Sequence, residues 1–472
     1  MVHLPSSYLI ALASALLLSG CAGFAKKTAT PAPVALPTQW SQPSSSNATA
    51  AQLAWKDFVR DPALQSLIRQ ALENNRDLRI ATLNIEQARA QVQLRRADQL
   101  PTVNVGITGS RVTTGQSTPI SSNYTGGLSL PVMPVWELDF FGRLGSLKEA
   151  AQAQFLASEQ SRHAVQISLI AGVAQAWLNW QTTDALLKLT QQTLSLREDG
   201  LRLTRLRHEN GAASALDLEL ATSLTASTRA ALAEQQRQRQ LDLNALSLLV
   251  GAAPANPPIL SDRDASDRSP AFDALSDVPL GLPSTVLLQR PDVQAAEYQL
   301  RSMNAQIDAA RAAFLPRISL TSSVGSASTS LSGLFKSGSW GWAIAPQAVL
   351  PIFTGGRNEA GLDSAQINRD IAIAQYDKAI QTAFREVNDA LAGRQTLGDQ
   401  LAAQQALVQS ETQRLKLAEL RLAQGVSTQL DWLDAQRSLY AAQQSELLVR
   451  AALAQNRVAL YKALGGGGLS TP

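Results

Sequence analysis

The sequence predicts a mainly α-helical fold with a minor β component, made of two copies of one unit: helix, two strands, long helix, tip, long helix. Three observations carry that expectation. The stretch HENGAASALD at 208–217 recurs as LAQGVSTQLD at 422–431, so Gly211, Ser214 and Asp217 return 214 positions later as Gly425, Thr428 and Asp431. Arms with apolar residues at every seventh position flank both stretches. Between the arms lie segments in which apolar and polar residues alternate, the period of a strand with one apolar face. A repeat this long means duplicated half-molecules and not a short solenoid unit.

At the amino end, Leu9 to Leu18 is an apolar run too short to span a membrane but suited to the core of a signal peptide over residues 1–20. It ends in Leu18-Ser19-Gly20-Cys21, which resembles the bacterial lipobox, whose cysteine becomes the lipidated first residue of the mature chain. An ordinary secretory signal with an incidental cysteine is the alternative. The preceding MVHLPSSY has no Lys or Arg, a departure from the usual positive start, and Ala22 in place of Asp favours the outer membrane under the lipoprotein sorting rule. Cys21 is the sole cysteine, which excludes a disulfide framework and a zinc site built from several thiolates. Residues 21–60, rich in Ala, Pro, Ser and Thr, read as an extended, lipidated tether.

The first repeat, 61–251, opens with helices over 62–74 and 77–100 that Pro101 closes. Strands follow at about 102–112 and 124–139: Val103, Val105 and Ile107 alternate with polar neighbours, and Tyr124, Leu128, Leu130, Val132, Trp136 and Leu138 share one parity. The long arm then repeats Val173, Trp180, Leu187, Leu194 and Leu201 every seven residues up to the tip at 208–217. There Gly211 suits a left-handed helix end, Ser214 an N-cap, and Asp217 the third helical position, where a carboxylate reaches back to the cap amide. Gly425, Thr428 and Asp431 repeat the device. A connector rich in Pro and Asp, 252–291, leads to the second repeat, 292–464, with strands at about 317–328 and 340–353 and the tip at 422–431. Its arm runs through Ile373, Ile380, Val387, Leu401, Val408, Leu415 and Leu422, a column broken only by Arg394, and residues 465–472 form a flexible tail. No Pro interrupts 145–250 or 359–463, so the arms extend to some sixty residues, or roughly 95 Å at 1.5 Å per residue.

Four amphipathic strands are too few to close a barrel. They are either one sector of a membrane barrel shared between subunits or a small sheet covered by helices; periodicity leaves both open. A formal charge of +3 over 472 residues, with no block of like charges, points away from a nucleic-acid surface. His163 and His208 lie far apart on the arms with no third ligand type nearby, so they read as solvated helix-face histidines and not metal ligands. Gly355-Gly356 sits in a strand-to-helix turn, not in a phosphate loop. No catalytic constellation, cofactor or metal is expected apart from the lipid on Cys21.

Several motifs, in order on the duplicated plan, carry a family resemblance: Trp136-Glu137-Leu138-Asp139-Phe140-Phe141-Gly142-Arg143, Arg290-Pro291-Asp292-Val293, Leu350-Pro351-Ile352-Phe353 running into Gly355-Gly356-Arg357, and Gly425-Val426-Ser427-Thr428 with Asp434-Ala435-Gln436. Together they resemble the TolC-like outer-membrane factors, in the NodT-type lipoprotein branch that serves resistance-nodulation-division (RND) efflux pumps. The resemblance implies a homotrimer in which each chain gives four strands to one outer-membrane barrel, continued by a coiled-coil tunnel across the periplasm and wrapped by the connector as an equatorial girdle. It implies a passive conduit, not an enzyme, that takes small toxic compounds from an inner-membrane RND transporter through a periplasmic adaptor. A type I secretion outlet, or a coiled-coil structural lipoprotein that forms no pore, are the alternatives.

The resemblance also places the tips at the periplasmic mouth. Asp431 and Asp434 stand three apart on one helix, and threefold symmetry would turn them into carboxylate rings. The first tip offers Asp217 but has Leu220 where the second has Asp434. The family's familiar latch, a Tyr and an Arg on the second hairpin, is replaced here by Leu422 and Ser427. Closure is therefore expected to rest on Leu422 and Leu430 together with Asp217, Asp431 and Asp434. Adaptor docking is expected at Gly211, Ser214, Arg421, Gln424, Gly425, Ser427 and Thr428; well-capped turns with no docking role are the alternative.

Overall fold

The computed structural model describes residues 53–114, 123–251, 272, 275–277 and 284–466. Cys21, the signal segment before it, most of the tether and connector, and residues 467–472 lie outside them. The chain divides into two compact units, one holding Leu83–Gln160 and Gln294–Lys378, the other Ser161–Val293 and Ala379–Pro472 together with Val34–Thr82.

Eight helices are described: α1 (Trp55–Phe58), α2 (Pro62–Asn74), α3 (Arg76–Ala97), α4 (Arg143–Glu209), α5 (Ala215–Val250), α6 (Pro291–Ala312), α7 (Arg357–Ala423) and α8 (Gln429–Ala463). α4 and α7 are each 67 residues long and start 214 positions apart, at Arg143 and Arg357. Both follow a positive-φ glycine, Gly142 and Gly356, which turns the chain from strand into helix. α2 starts as its sequence dictates, with Pro62 at the first position and the Asp61 carboxylate accepting from the amides of Ala63 (2.7 Å) and Leu64 (3.0 Å).

The first unit contains an antiparallel sheet of β1 (Thr102–Val105), β2 (Thr108–Thr114), β3 (Asn123–Leu138), β4 (Arg317–Ser328) and β5 (Trp340–Val349), in the order β1-β3-β4-β5 with β2 also on β3. What the sequence suggests as one first strand is thus two pieces. Val105 faces Val132 and Thr108 faces Ser129, so the register runs through the break unchanged. The gap falls where β3 carries Pro131, which has no amide to donate; only the Gly106 amide crosses, to the Pro131 carbonyl at 3.1 Å. On the other side Gly325 faces Pro131, where an added Cβ would collide with the Leu130 carbonyl oxygen and lie 2.7 Å from the Pro131 Cα. The last strand ends at Val349, short of the 353 suggested by its apolar residues, because Pro351 follows.

Partners across the ladders share a face. Val103 and Val105, then Leu128, Leu130, Val132, Trp136 and Leu138, then Ile318, Leu320 and Val324, then Trp342 and Ile344 share one mainly apolar side, which Ser322, Ser326 and Ser328 of β4 interrupt. Ser129, Thr321, Ser323, Ala343 and Gln347 occupy the other. None of the described helices covers β5, all ten of whose residues are exposed. The alternative of a small sheet covered by helices is excluded for that strand.

In the second unit, α2 and the ends of α5 and α8 surround the apolar residues Leu64, Ile68, Leu246, Leu460 and Tyr461, and Phe58 stacks on the Tyr461 ring at 4.2 Å. Arg290, 5% exposed, pins the start of α6 to two other helices. Its guanidinium donates to Asp292 (2.7 Å), Glu386 on α7 (2.8 Å) and the Ala463 carbonyl of α8 (2.8 Å). None of the described helices is long and apolar enough to cross a membrane.

Candidate functional site at the hairpin tips

Both tips are built alike. At the end of α4 the amides of Gly211 and Ala212 donate to the carbonyls of His208 (2.9 Å) and Arg207 (2.7 Å), and at the end of α7 those of Gly425 and Val426 donate to Leu422 (3.1 Å) and Arg421 (2.9 Å). This pattern of crossed bonds needs a left-handed residue, supplied by Gly211 at φ 71° and Gly425 at φ 74°. The next helix then starts with a capping box. Ser214 accepts from the Asp217 amide at 3.1 Å while the Ser214 amide donates to the Asp217 carboxylate, also at 3.1 Å. Thr428 and Asp431 do the same at 3.3 and 3.1 Å.

Asp431 accepts two further bonds, from the hydroxyls of Ser427 (2.7 Å) and Thr428 (2.8 Å). Bonds from Ser427 and then Thr428 hold its carboxyl below the usual carboxylate range, aided by the positive field of Arg421. Asp434 is not an open carboxylate. Its oxygens accept from Arg437 (2.6 Å) and from Arg414, which also reaches Glu411 (3.1 Å) and the Ser438 hydroxyl (3.2 Å). Asp431 is thus the centre of a cap, as its place in the capping box predicts, and Asp434 the centre of an arginine cluster. Leu430 is 53% exposed and Leu422 half-buried, while Arg421, Gln424 and Gly425 are exposed. Leu216 and Val426 add 68% and 65% exposed apolar side chains at the same tips.

Behind the tips, α4 lies against α5 and α8 along a seam that the apolar heptads do not reveal. Beyond Val173 the column Trp180, Leu187, Leu194 and Leu201 is half-buried, whereas Thr183, Thr190, Arg197 and Thr204, also seven apart, are buried. Each has a polar partner across the seam. Thr183 donates to Asp242 (2.6 Å), Thr190 meets the Tyr440 hydroxyl (2.7 Å), Arg197 bonds the Thr228 hydroxyl and lies 5.0 Å over the Tyr440 ring, and the Gln429 amide donates to Thr204 (3.3 Å). Gly200 leaves room for Trp432, whose ring an added Cβ would meet at 3.0 Å. Arg197 is 5% exposed, with no carboxylate paired to it among the described residues and its Nε unbonded, and burial lowers its pKa. The signal for this seam was in the sequence, as a polar column three residues from the apolar one, but a search for apolar heptads passes over it.

The histidines are not the solvated groups expected. His208 is half-buried and its Nδ1 donates to the Ala213 carbonyl (3.0 Å), closing the first tip. His163 is half-buried with Nδ1 unbonded, and burial first, then Arg162, lowers its pKa. Among the described residues no three His, Cys, Asp or Glu side chains gather as a metal site.

Two long segments, 67–252 and 282–466, match the family model of outer membrane efflux proteins. The chain is 44% identical over 468 residues to the antibiotic efflux pump outer membrane protein ArpC of Pseudomonas putida, covering 96% of this chain and 94% of that one. It is 43% identical over 468 residues to the toluene efflux pump outer membrane protein TtgC of the same species, with the same coverage. Among solved structures, the open state of the Neisseria gonorrhoeae MtrE outer membrane channel superimposes with a TM-score of 0.81 at 37% identity, covering 94% of this chain and 98% of that one.

Proposed function

This chain belongs to the outer membrane efflux protein family, and from that membership we propose that it is the outer-membrane channel of a tripartite RND efflux pump. It is a passive conduit that carries small toxic compounds from an inner-membrane transporter, through a periplasmic adaptor, to the exterior. In this reading three copies pair edge to edge, β5 of one against the β1–β2 strand of the next. The single observation that carries it is the uncovered sheet: a mainly apolar face runs through β1, β3, β4 and β5, the edge strand β5 is exposed along its whole length, and lipid and neighbouring copies are what such a sheet lacks. The relatives' efflux names support the transport role. A pore-free structural lipoprotein would have no use for such a face.

The tips are the proposed periplasmic mouth and the docking point for the adaptor. Closure would rest on Leu430 and Leu422, with Asp434 held in its arginine cluster and Asp217 and Asp431 holding the caps. The lipobox supports lipidation at Cys21, a second attachment to the outer membrane beside the barrel.

Electron microscopy of the detergent-extracted chain with Cys21 intact tests the reading. A threefold tube with a lumen, at least the roughly 100 Å of one 67-residue helix in length, is expected. Slender rods or monomers without a lumen would overturn it.

A further inference from the structure

Within the first unit, four helix segments stand in a row. Arg89 of α3 lies 5.7 Å over the Phe155 ring of α4, the Ser302 hydroxyl of α6 donates to the Ala150 carbonyl of α4 (2.9 Å), and the Asn358 amide of α7 donates to the Ala313 carbonyl just past α6 (3.1 Å). The order is therefore α3, α4, α6, α7. One cavity of about 610 Å³ is lined by all four and by the start of β4. A single cavity can touch both ends of such a row only from its concave side.

The chemistry of that cavity is one-sided. Its lining includes Arg95, Arg143 and Arg317 and the amides of Gln91, Gln154, Gln306 and Asn368, over a floor of alanines, and it includes no carboxylate. Arg143 is satisfied by Glu137, which it grips with two nitrogens at 2.7 to 3.1 Å, and Arg95 reaches Asp98 at 3.3 Å in an exposed pair. Arg317 is exposed, and among the described residues no carboxylate pairs with it. One guanidinium fork is thus uncommitted, and amide groups that can donate hydrogen bonds surround the same space.

The cavity also records the duplication. Gln91 corresponds to Gln306 and Gln154 to Asn368 in the repeat, so its amides come in equivalent pairs. Of the cations only Arg143, which Glu137 neutralises, has a counterpart, in Arg357; Arg95 corresponds to Ala310 and Arg317 to Thr102. The positive charge that Glu137 leaves unneutralised comes from departures between the two copies.

We propose that this cavity is a binding subsite for a small organic monocarboxylate of about the size of benzoate. The carboxylate is held by Arg317 with Arg95 at hand, the amides bond its remaining lone pairs, and the alanine floor takes the apolar body. The conduit reading gives the site its meaning, since the concave side would face the tunnel and the subsite would be a resting place for anionic cargo. Binding itself is a property of one chain, so its failure leaves the conduit standing and failure of the conduit leaves it measurable.

The test is fluorine NMR of 4-fluorobenzoate with the full-length, detergent-solubilised protein. Line broadening that saturates is expected with the native chain. Arg317→Ala should weaken binding by about tenfold or more, the loss of a charged hydrogen bond, with partial recovery in Arg317→Lys. Arg385→Ala, an exposed arginine in the other unit, should change nothing, and neutral 4-fluorobenzyl alcohol should broaden far less. Absence of broadening, equal broadening by the alcohol, or an unchanged affinity in Arg317→Ala would overturn the site. Displacement by inorganic phosphate as effective as by benzoate would overturn the organic-acid assignment.

Discussion

Two arginines with the same 5% exposure have opposite environments, and this sets opposite expectations for their removal. Burial lowers the pKa of Arg290, but its bonds to Asp292 and Glu386 outweigh that and raise it; burial alone prevails at Arg197. Removing one member of a buried ion pair strands the other, so Arg290→Ala should lower stability by roughly 2 kcal/mol, discounted because Asp292 and Glu386 are partly solvated. Arg197→Met replaces a buried cation lacking a counter-ion with a side chain of similar reach and should raise the melting temperature of the helical unit, or at least not lower it. Thermal melts followed by helical circular dichroism separate the two; a large loss in Arg197→Met would show that its bonds to Thr228 and Tyr440 outweigh desolvation. Neither role was legible beforehand. Arg290 stood out as part of a family motif, but the partners that give it a role lie 96 and 173 residues away. Arg197 looked like any polar position of an amphipathic arm.

The elements were more legible than their packing. Tip, cap and helix start follow from local chemistry, so Gly211, Ser214 and Asp217 could be assigned without tertiary knowledge, and their counterparts likewise. A cap mutant tests the device: Thr428→Ala should cost about 1 kcal/mol and loosen the start of α8, read as faster amide exchange there. The pH dependence has a definite sign. Asp431 has a folded pKa below its unfolded one, so its contribution is present above the ordinary carboxylate value and is lost as pH falls through the depressed one. Protection at the second tip should therefore hold at neutral pH and fade only below about pH 4, whereas Asp431→Asn should show the loss throughout. Which face of α4 is buried was not legible, because Leu187 and Leu194 outrank Thr183 and Thr190 on any apolar scale, yet the threonines fill the narrow gap and bond across it. The break in the first strand was hidden for another reason. Its cause, Pro131, lies on the neighbouring strand, and only the register brings it opposite Gly106.

At the scale of the whole molecule the sheet and the long helices have different needs. The helical unit buries Leu64, Leu246, Leu460 and Tyr461 within one chain, while the sheet leaves Trp342 at 76% and Ile344 at 59% exposure on its apolar face. Alternation along the strands predicted that face, but not whether a helix would cover it; the exposure of β5 shows that none of the described helices does. Stability of the helical unit and membrane insertion are thus separable properties. Charges on the apolar face should therefore damage one without the other: Trp342→Asp with Ile344→Asp places carboxylates where lipid is expected, each costing up to about 2 kcal/mol near the middle of a bilayer. The double variant should retain near-native helical circular dichroism yet leave its strands open to added protease in the membrane, because a lipid on Cys21 holds the chain at the surface without inserting the sheet. A matching pair on the opposite face, Ala343→Asp with Ala345→Asp, should insert normally, since that side already presents Ser323 and Thr321 and meets water in a barrel. If both pairs behave alike, the face that the strand register assigns to lipid is not the one that meets it.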